Sequence, residues 1–378
     1  MSYCLYYFRK TSINIFFLLV SFLSFASNPI VTENALTGTA PSVWDISGAG
    51  DLSIQGFATD LSVDKEETIH FKISVTGAPT TYSITIYRMG YYQGNGAREI
   101  ISLRSFSGVS QPAPINDPVT GLTDCGNWSE SASWLVPATA VSGIYFAKLT
   151  RDDNNGSSHL FFVVRDDGTP TDLLFKTSDA TWQAYNIYGG KSLYTGTGGK
   201  ASKVSYNRPF LTRGGGGGGG PEEDFIFNAE YPMVRWLERN GYNLSYTTDL
   251  DMDRDPTVIT PSLHKVLLSV GHDEYWSLAE RNKFETARNN GVHLAFFSGN
   301  EVYWKTRWEN SIDGDNTPHR TLVCYKEGTF GENTCGTKCD PLPNIWTGQW
   351  RDGCSFPAAD GCNPENQLTG QISWSENN

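Results

Sequence analysis

Val266-Leu-Leu-Ser-Val-Gly-His-Asp-Glu-Tyr-Trp276 decides the fold of the second half of this chain. Its first five residues form a mainly apolar run of strand length, which predicts a strand buried on both faces. Residues 271–276, called the elbow below, are a polar segment that ends the strand. In sheets of buried parallel strands, ligands bind beyond the carboxyl ends of the strands. The elbow is therefore the first candidate for a functional site.

Predicted strands alternate with predicted helices around the elbow. The strands are residues 173–176, 243–246, 266–270 and 292–297, and the helices are residues 233–240 and 278–289. Gly241 follows the first helix, as expected of the residue just past a helix end. This alternation predicts an α/β domain with a mainly parallel sheet, of the glutamine-amidotransferase-like kind, over residues 170–378. A second polar segment, residues 299–304, follows the last strand.

The first half of the chain has a different pattern of apolar and polar residues. Residues 69–75, 82–87 and 144–149 alternate between apolar and polar side chains, and Gly, Pro, Asn and Asp separate such runs. This spacing predicts an immunoglobulin-like β-sandwich over residues 35–167. The expected fold class is thus multidomain β and α/β.

The first 26 residues predict a secretory signal peptide. Arg9 and Lys10 precede a short apolar run, residues 13–23, and small residues follow at 24–26. A retained anchor is the alternative interpretation. We expect a secreted or extracytoplasmic protein with no stable membrane span after cleavage. The net charge of −12 argues against a nucleic-acid partner, because phosphate binding needs a basic face.

The cysteines favour disulfides. Removal of Cys4 would leave six, an even number in a chain predicted to enter an oxidising compartment. Five of them crowd the loop 324–362, namely Cys324, Cys335, Cys339, Cys354 and Cys362, whereas Cys125 stands alone. A zinc site is less favoured, since the pair at 335 and 339 has no matching second pair.

An acidic run has the early spacing of a calcium loop, with aspartates at 249, 251, 253 and 255. Arg254 stands where the turn glycine is needed, and Thr260 where the bidentate glutamate is needed. We therefore expect a solvated acidic loop. The chain also lacks the Gly-x-Ser-x-Gly elbow of serine hydrolases and the His-Glu-x-x-His motif of zinc proteases.

Several polar loops carry oxygen donors that are weak signals when taken singly. A tyrosine usually packs, a glutamate after a strand is usually solvated, and the ordinary interpretation of His272 is a cap of the next helix. The segments that form a combined pattern are Tyr87-Arg-Met-Gly-Tyr-Tyr92, Trp182-Gln-Ala-Tyr-Asn186, Ser205-Tyr-Asn-Arg-Pro209, Tyr231-Pro-Met-Val-Arg-Trp-Leu237, the elbow, and Ser298-Gly-Asn-Glu-Val-Tyr-Trp304. In this order they resemble the large (beta) subunit of N,N-dimethylformamidase and its secreted relatives, over roughly residues 40–375.

The resemblance implies a hydrolase of small amides with one mononuclear iron, held by two tyrosines and one glutamate. By motif these metal ligands are Tyr185, Tyr206 and Glu274, while His272 and Asn300 are the implied catalytic residues. Rivals for the tyrosine positions are Tyr188, Tyr194 and Tyr231. Two phenolates require a strong Lewis acid, which favours Fe3+ over zinc, magnesium or calcium. The family's enzyme also acts with a small second subunit.

The leading hypothesis is an exported, metal-dependent hydrolase of amide or related C–N bonds that acts on a small amide-type substrate, as an oligomer or with a small subunit. The alternative is a non-catalytic extracellular binding or surface protein whose sandwich recognises a glycan or another partner and whose enzyme domain is degenerate. Exposed aromatics such as Tyr91 and Tyr92 would favour the alternative. A glycan hydrolase that uses Asp273 and Glu274 is disfavoured, because adjacent residues rarely straddle a bond.

Overall fold

The computed structural model describes residues 28–77, 79–211, 225–254, 259–327, 340–351 and 363–372. The predicted signal peptide lies outside these residues, as do Cys335, Cys339, Cys354 and Cys362. The two described cysteines, Cys125 and Cys324, are buried free thiols, so within these ranges the expected disulfides are not found. No helix in the described ranges is long and apolar enough to cross a membrane.

The first half of the chain is a sandwich of two sheets, preceded by the short helices α1 (Pro29–Asn34) and α2 (Pro41–Trp44). Its strands are β1 (Ile54–Ala58), β2 (Ser62–Val63), β3 (Thr68–Val75), β4 (Thr81–Met89), β5 (Ala97–Ser107), β6 (Ile115–Asp117), β7 (Leu122–Asp124), β8 (Ala132–Leu135), β9 (Gly143–Arg151) and β10 (Ser157–Val164). One sheet has the order β1-β3-β8 and the other β2-β10-β9-β4-β5, while β6 and β7 form a separate ribbon.

Alternation along the strands builds the sandwich core. Every second side chain of β3, including Ile69, Phe71 and Ile73, is buried, and these pack with Ile84 and Leu160 of the opposite sheet. An apolar residue at every second position places one face of a strand inward, which explains the period seen in the sequence.

The second half contains a four-stranded parallel sheet with the order β13-β11-β14-β16. The helices and strands of the second half are β11 (Thr171–Lys176), α3 (Asp179–Tyr185), β12 (Lys203–Ser205), α4 (Ile226–Ala229), α5 (Tyr231–Arg239), β13 (Leu244–Thr247), α6 (Asp249–Arg254), β14 (His264–Gly271), β15 (Tyr275–Ser277), α7 (Leu278–Asn289), β16 (His293–Ser298), β17 (Trp304–Glu309), β18 (Thr321–Val323) and α8 (Asn366–Thr369). Short 3-10 turns lie at Tyr92–Gly94, Tyr188–Gly190 and Pro343–Ile345. The predicted strands and helices around the elbow are confirmed to within a few residues at their ends.

A second, mixed sheet was not foreseen from the sequence. It has the order β12-β18-β17-β15, and β15 begins at the elbow itself. β15 pairs in parallel with β17, which places Tyr275 opposite Trp304. The elbow therefore joins the parallel sheet to the mixed one.

The expectation of a solvated acidic loop at residues 249–255 is wrong. Residues 249–254 form α6, in which Asp249 and Asp251 are buried. Asp251 accepts hydrogen bonds from Ser62 of the sandwich and pairs with Arg254 at 2.8 Å. Neighbouring cations and hydroxyls compensate these carboxylates, which is why they can leave water.

A buried ion pair connects the sandwich to the α/β domain. Arg88 of β4 donates two hydrogen bonds to Glu238 of α5, at 2.9 and 2.8 Å, and neither side chain has any exposed surface. Asn34 and Tyr246 also donate to Glu238, at 2.7 and 2.8 Å. The charge of Glu238 raises the pKa of Arg88, so this guanidinium keeps its proton despite burial.

We expect Glu238→Gln to lower the free energy of unfolding by about 3–5 kcal/mol, because it leaves the Arg88 charge buried without its counter-ion. Urea denaturation of the purified chain measures this. Asp172→Asn is the matched control, since it removes an exposed pair with Lys265 and should cost less than about 1 kcal/mol. Similar losses in the two variants would contradict the expectation.

Candidate functional site

The elbow lies at the carboxyl end of β14, a central strand of the parallel sheet. Gly271 has a φ of +101°, and a Cβ there would come within 2.8 Å of both Glu230 Oε1 and Ser178 Oγ. A side chain at this position would therefore be strained and crowded. The backbone N–H of Asp273 donates to Ser298 Oγ at 2.7 Å, which ties the elbow to the end of β16.

Glu274 is the centre of the site, and its carboxylate is buried. The Tyr185 hydroxyl donates to Oε2 at 3.1 Å, and the Tyr194 hydroxyl donates to Oε1 at 2.5 Å. Trp304 Nε1 donates to Oε1 at 2.8 Å. Two phenols and one carboxylate thus converge at a single point, within hydrogen-bonding distance of each other.

Local structure explains why the two tyrosines meet. Tyr185 is the last residue of α3, and Tyr194 lies on the loop that leads away from this helix. Their rings stack with centroids 4.1 Å apart. Desolvation and the charge of Glu274 raise the pKa of Tyr194 well above its usual value, so without a metal this phenol is a hydrogen-bond donor.

An aromatic wall with one cation borders the carboxylate. The ammonium of Lys326 lies 3.0 Å from the centre of the Tyr194 ring, 4.8 Å from that of Trp304 and 5.3 Å from that of Tyr275. Lys326 itself is buried. Cation–π attraction favours this arrangement, and it places one positive charge beside the oxygen donors.

The two catalytic candidates lie at different distances from the carboxylate. His272 Nε2 is 3.8 Å from Glu274 Oε2, which is beyond hydrogen-bonding range but close enough for a charge interaction if the imidazole is protonated. The ring of His272 is 5.8 Å from that of Tyr185. Asn300 follows β16, is exposed and has a φ of +52°. Its side chain forms no hydrogen bond within the ranges that the structure describes.

Tyr206 is not brought to Glu274. Its phenol donates to Asp179 Oδ2 at 2.8 Å, in the interior beneath the site. β12 pairs with β18 and carries Tyr206 to that position. Tyr194 takes the place that the motif gave to Tyr206, and it was one of the rivals that the sequence left open. The segment from the end of α3 to just past β12 carries tyrosines at 188, 194 and 206, and only its folded path distinguishes them.

A buried cluster of charges lies beneath the elbow. Lys176 Nζ contacts Asp273 and Glu280 at 2.8 Å and also pairs with Asp249. The three carboxylates lie within 4.8 Å of one another. This spacing would suit a metal ion, but the ammonium already provides their positive charge. Desolvation raises the pKa of Asp273 to about 6 and that of Asp249 to about 7.

Asp273 does not cap the helix that follows the elbow. Ser277 caps α7, because its Oγ accepts a hydrogen bond from the backbone N–H of Glu280 at 3.1 Å. Asp273 instead faces Lys176 and accepts a hydrogen bond from Ser269 at 2.5 Å. The lysine responsible was missed in the sequence, although a lysine at the end of an apolar strand is a signal of a buried ion pair.

Glu230 is a second buried carboxyl under the elbow. Its Oε1 accepts from the Ser178 N–H at 3.0 Å and from Trp182 Nε1 at 2.8 Å, whereas Oε2 has no hydrogen-bond partner in the described part of the chain. Desolvation raises the pKa of Glu230 from 4.5 to about 7. The folded state therefore holds this proton more tightly than the unfolded state does.

Because the folded pKa of Glu230 is raised, its contribution to stability is present at low pH and is lost as the pH rises from about 4.5 to about 7. The Glu230→Gln variant has no carboxyl at this position and therefore does not show this loss of stability with rising pH. We expect the stability of the variant relative to the parent to rise by about 2–3 kcal/mol between pH 5 and pH 8. Urea denaturation at both pH values measures this. Glu99→Gln, at an exposed position, is the control and should show little change.

Comparisons with known proteins agree with the resemblance seen in the sequence. The family described as N,N-dimethylformamidase beta subunit-like, C-terminal, matches residues 83–378, which include the whole site. The N,N-dimethylformamidase beta subunit of Alcaligenes sp is 23% identical over 218 residues, which are 48% of this chain and 28% of that relative. The matched part thus spans less than a third of the relative's length. Since the family match covers well over half of the chain, the protein belongs to the N,N-dimethylformamidase beta subunit-like, C-terminal family.

Proposed function

We propose that this protein is a metal-dependent hydrolase of amide or related C–N bonds, and that Tyr185, Tyr194 and Glu274 are its metal ligands. The observation that carries the proposal is the meeting of both phenols at one buried carboxylate. The name of the relative from Alcaligenes sp states an amide-hydrolysing activity for that protein. Family membership and site chemistry therefore favour the same class of reaction.

The donor set fits ferric iron. A phenol loses its proton near pH 10 in water, so two phenolate ligands at neutral pH require a strongly acidic cation. Two phenolates and one carboxylate carry three negative charges, which a trivalent ion balances. A balanced site can be buried without a large uncompensated charge. Oxygen-only ligands of this hardness suit Fe3+ better than zinc, which accepts nitrogen and sulfur readily.

When bound, the metal would acidify a water molecule and polarise the substrate carbonyl. The residues of the chain contribute the remainder of the chemistry. Trp304 holds Glu274 in place through its indole N–H. In this proposal His272, whose Nε2 lies 3.8 Å from Glu274 Oε2, takes a proton from the attacking water and gives it to the leaving nitrogen, so that the C–N bond breaks to give a carboxylic acid and an amine. Asn300 is proposed to contact the substrate carbonyl once ligand is bound.

The remaining expectations are proposals too. Export, the immunoglobulin-like class of the sandwich and the glutamine-amidotransferase-like class of the α/β domain stay as inferred from the sequence. A small second subunit or an oligomer is also proposed, because the Alcaligenes relative is named as a beta subunit.

The two aromatics that would favour the alternative, a surface protein that binds a glycan or another partner, are not exposed. Tyr92 is buried, and its hydroxyl donates to Glu33 at 2.7 Å. Tyr91 is half-buried, with the guanidinium of Arg239 5.4 Å from its ring centre. A glycan hydrolase using Asp273 and Glu274 is likewise disfavoured, since Asp273 is engaged by Lys176.

Iron loading tests the metal ligands. We expect the aerobically loaded protein to bind one iron and to show a visible phenolate-to-iron absorption band. Tyr185→Phe and Tyr194→Phe should each weaken this band, and Glu274→Gln should lower the iron content. Tyr206→Phe is the matched control and should keep both. A colourless parent protein would refute the proposal, and loss of the band in Tyr206→Phe alone would return the second ligand to that residue.

The role of His272 is tested separately. We expect His272→Gln to lower kcat on small amides by on the order of 10²–10⁴-fold, because it removes the group that shuttles the proton. Iron content should stay at the parent level, since His272 is not a proposed ligand. Unchanged kcat with unchanged iron would rule out this role, and metal analysis beside the kinetic assay separates the two effects.

A further inference from the structure

Tyr275 is a third tyrosine at the same carboxylate. It directly follows Glu274, opens β15 and lies opposite Trp304 in the mixed sheet. Its side chain has no exposed surface, and its ring packs edge-on against that of Tyr194, with centroids 6.4 Å apart. Neither the family resemblance nor the motifs gave this residue a function.

The hydroxyl of Tyr275 has no hydrogen-bond partner among the described residues. Buried hydroxyls nearly always have a partner, because leaving one unpaired costs its desolvation energy. Other buried tyrosines of this protein follow that rule. Tyr145 donates to Val141 O at 2.7 Å, and Tyr246 donates to Glu238 at 2.8 Å. The exception at Tyr275 therefore requires a reason.

The surroundings of this hydroxyl are those of the candidate site. Glu274, Tyr194, Tyr185 and Cys324 all act on it electrostatically, and the ammonium of Lys326 lies 5.3 Å from the centre of its ring. The carboxylate oxygens of Glu274 already accept hydrogen bonds from both phenols and from Trp304. One donor is thus left over at a site whose acceptors are already engaged.

We propose that Tyr275 is a ligand-binding residue of this site, and that its hydroxyl donates a hydrogen bond to the oxygen of a bound amide carbonyl. The proposal rests on the proposed hydrolase function and extends it to a residue that recognises substrate. A ligand oxygen would satisfy the hydroxyl that the protein leaves unpaired. Tyr194 borders the carboxylate of Glu274 and is 38% exposed, so we expect a small ligand to approach from its side.

The charges of the same wall define the class of ligand. Lys326 places a positive charge against the rings of Tyr194, Trp304 and Tyr275. A positively charged substrate would be repelled by this ammonium, whereas an uncharged amide or the carboxylate that its hydrolysis yields would be accepted. The site is therefore selective for small amides without a positive charge.

Tyr275→Phe tests the inference, with acetamide as the probe. Acetamide binding is measured by NMR titration, for the metal-free and the iron-loaded protein. We expect the variant to bind acetamide about tenfold more weakly than the parent, as for the loss of one hydrogen bond. The Tm of the ligand-free variant should stay equal or rise, because no hydrogen bond of the folded state is lost.

Tyr145→Phe is the matched control, since its hydroxyl is bonded within the sandwich. We expect this control to lower the Tm and to leave acetamide binding unchanged. Equal acetamide affinity in Tyr275→Phe and the parent would overturn the inference, as would the absence of acetamide binding to the parent protein. If the parent binds acetamide through Tyr275 but takes up no iron, the inference holds and the proposed metal chemistry fails.

Discussion

The ammonium of Lys176 holds together the elements that build the site. It comes from the end of β11 and binds carboxylates from the start of α6, from the elbow and from α7. The ring of Trp276, 4.7 Å away, covers it. A buried ammonium is costly in free energy unless it is paired, and so are the carboxylates around it. Movement of any one element would leave a buried charge without compensation, and the elbow is therefore held firmly.

The adjacent carboxylates of Asp273 and Glu274 therefore face different partners. Asp273 points towards Lys176 and anchors the elbow, whereas Glu274 points to the two phenols. Gly271 permits the turn between them and the strand, because its positive φ and close contact with Glu230 exclude a side chain. Glu274 is thus oriented before any ligand binds, which is the condition for a preorganised site. The same turn starts β15 and brings Tyr275 to the site.

Much of the α/β domain was predictable because buried strands leave apolar runs and helices leave clear ends. The parallel sheet and the helices α5 and α7 follow from such local patterns. The mixed sheet was not predicted, since its strands β12, β15 and β18 have only three residues each. Runs this short carry too little pattern to be recognised. The acidic run failed for a related reason, because its partners Ser62 and Arg165 are distant in sequence.

The sequence by itself predicted a multidomain β and α/β protein, the family and the central part of the candidate site, since the elbow and its preceding strand are contiguous. Tyr185 and Glu274 were named from motifs, and they do meet. Only the tertiary structure shows that Tyr194, on the loop between α3 and β12, reaches Glu274, whereas Tyr206, just past β12, contacts Asp179 instead. The position of Tyr206 depends on the pairing of β12 with β18, and the position of Tyr194 depends on the stacking of its ring on that of Tyr185. Such contacts join residues far apart in the chain, and no local pattern records them.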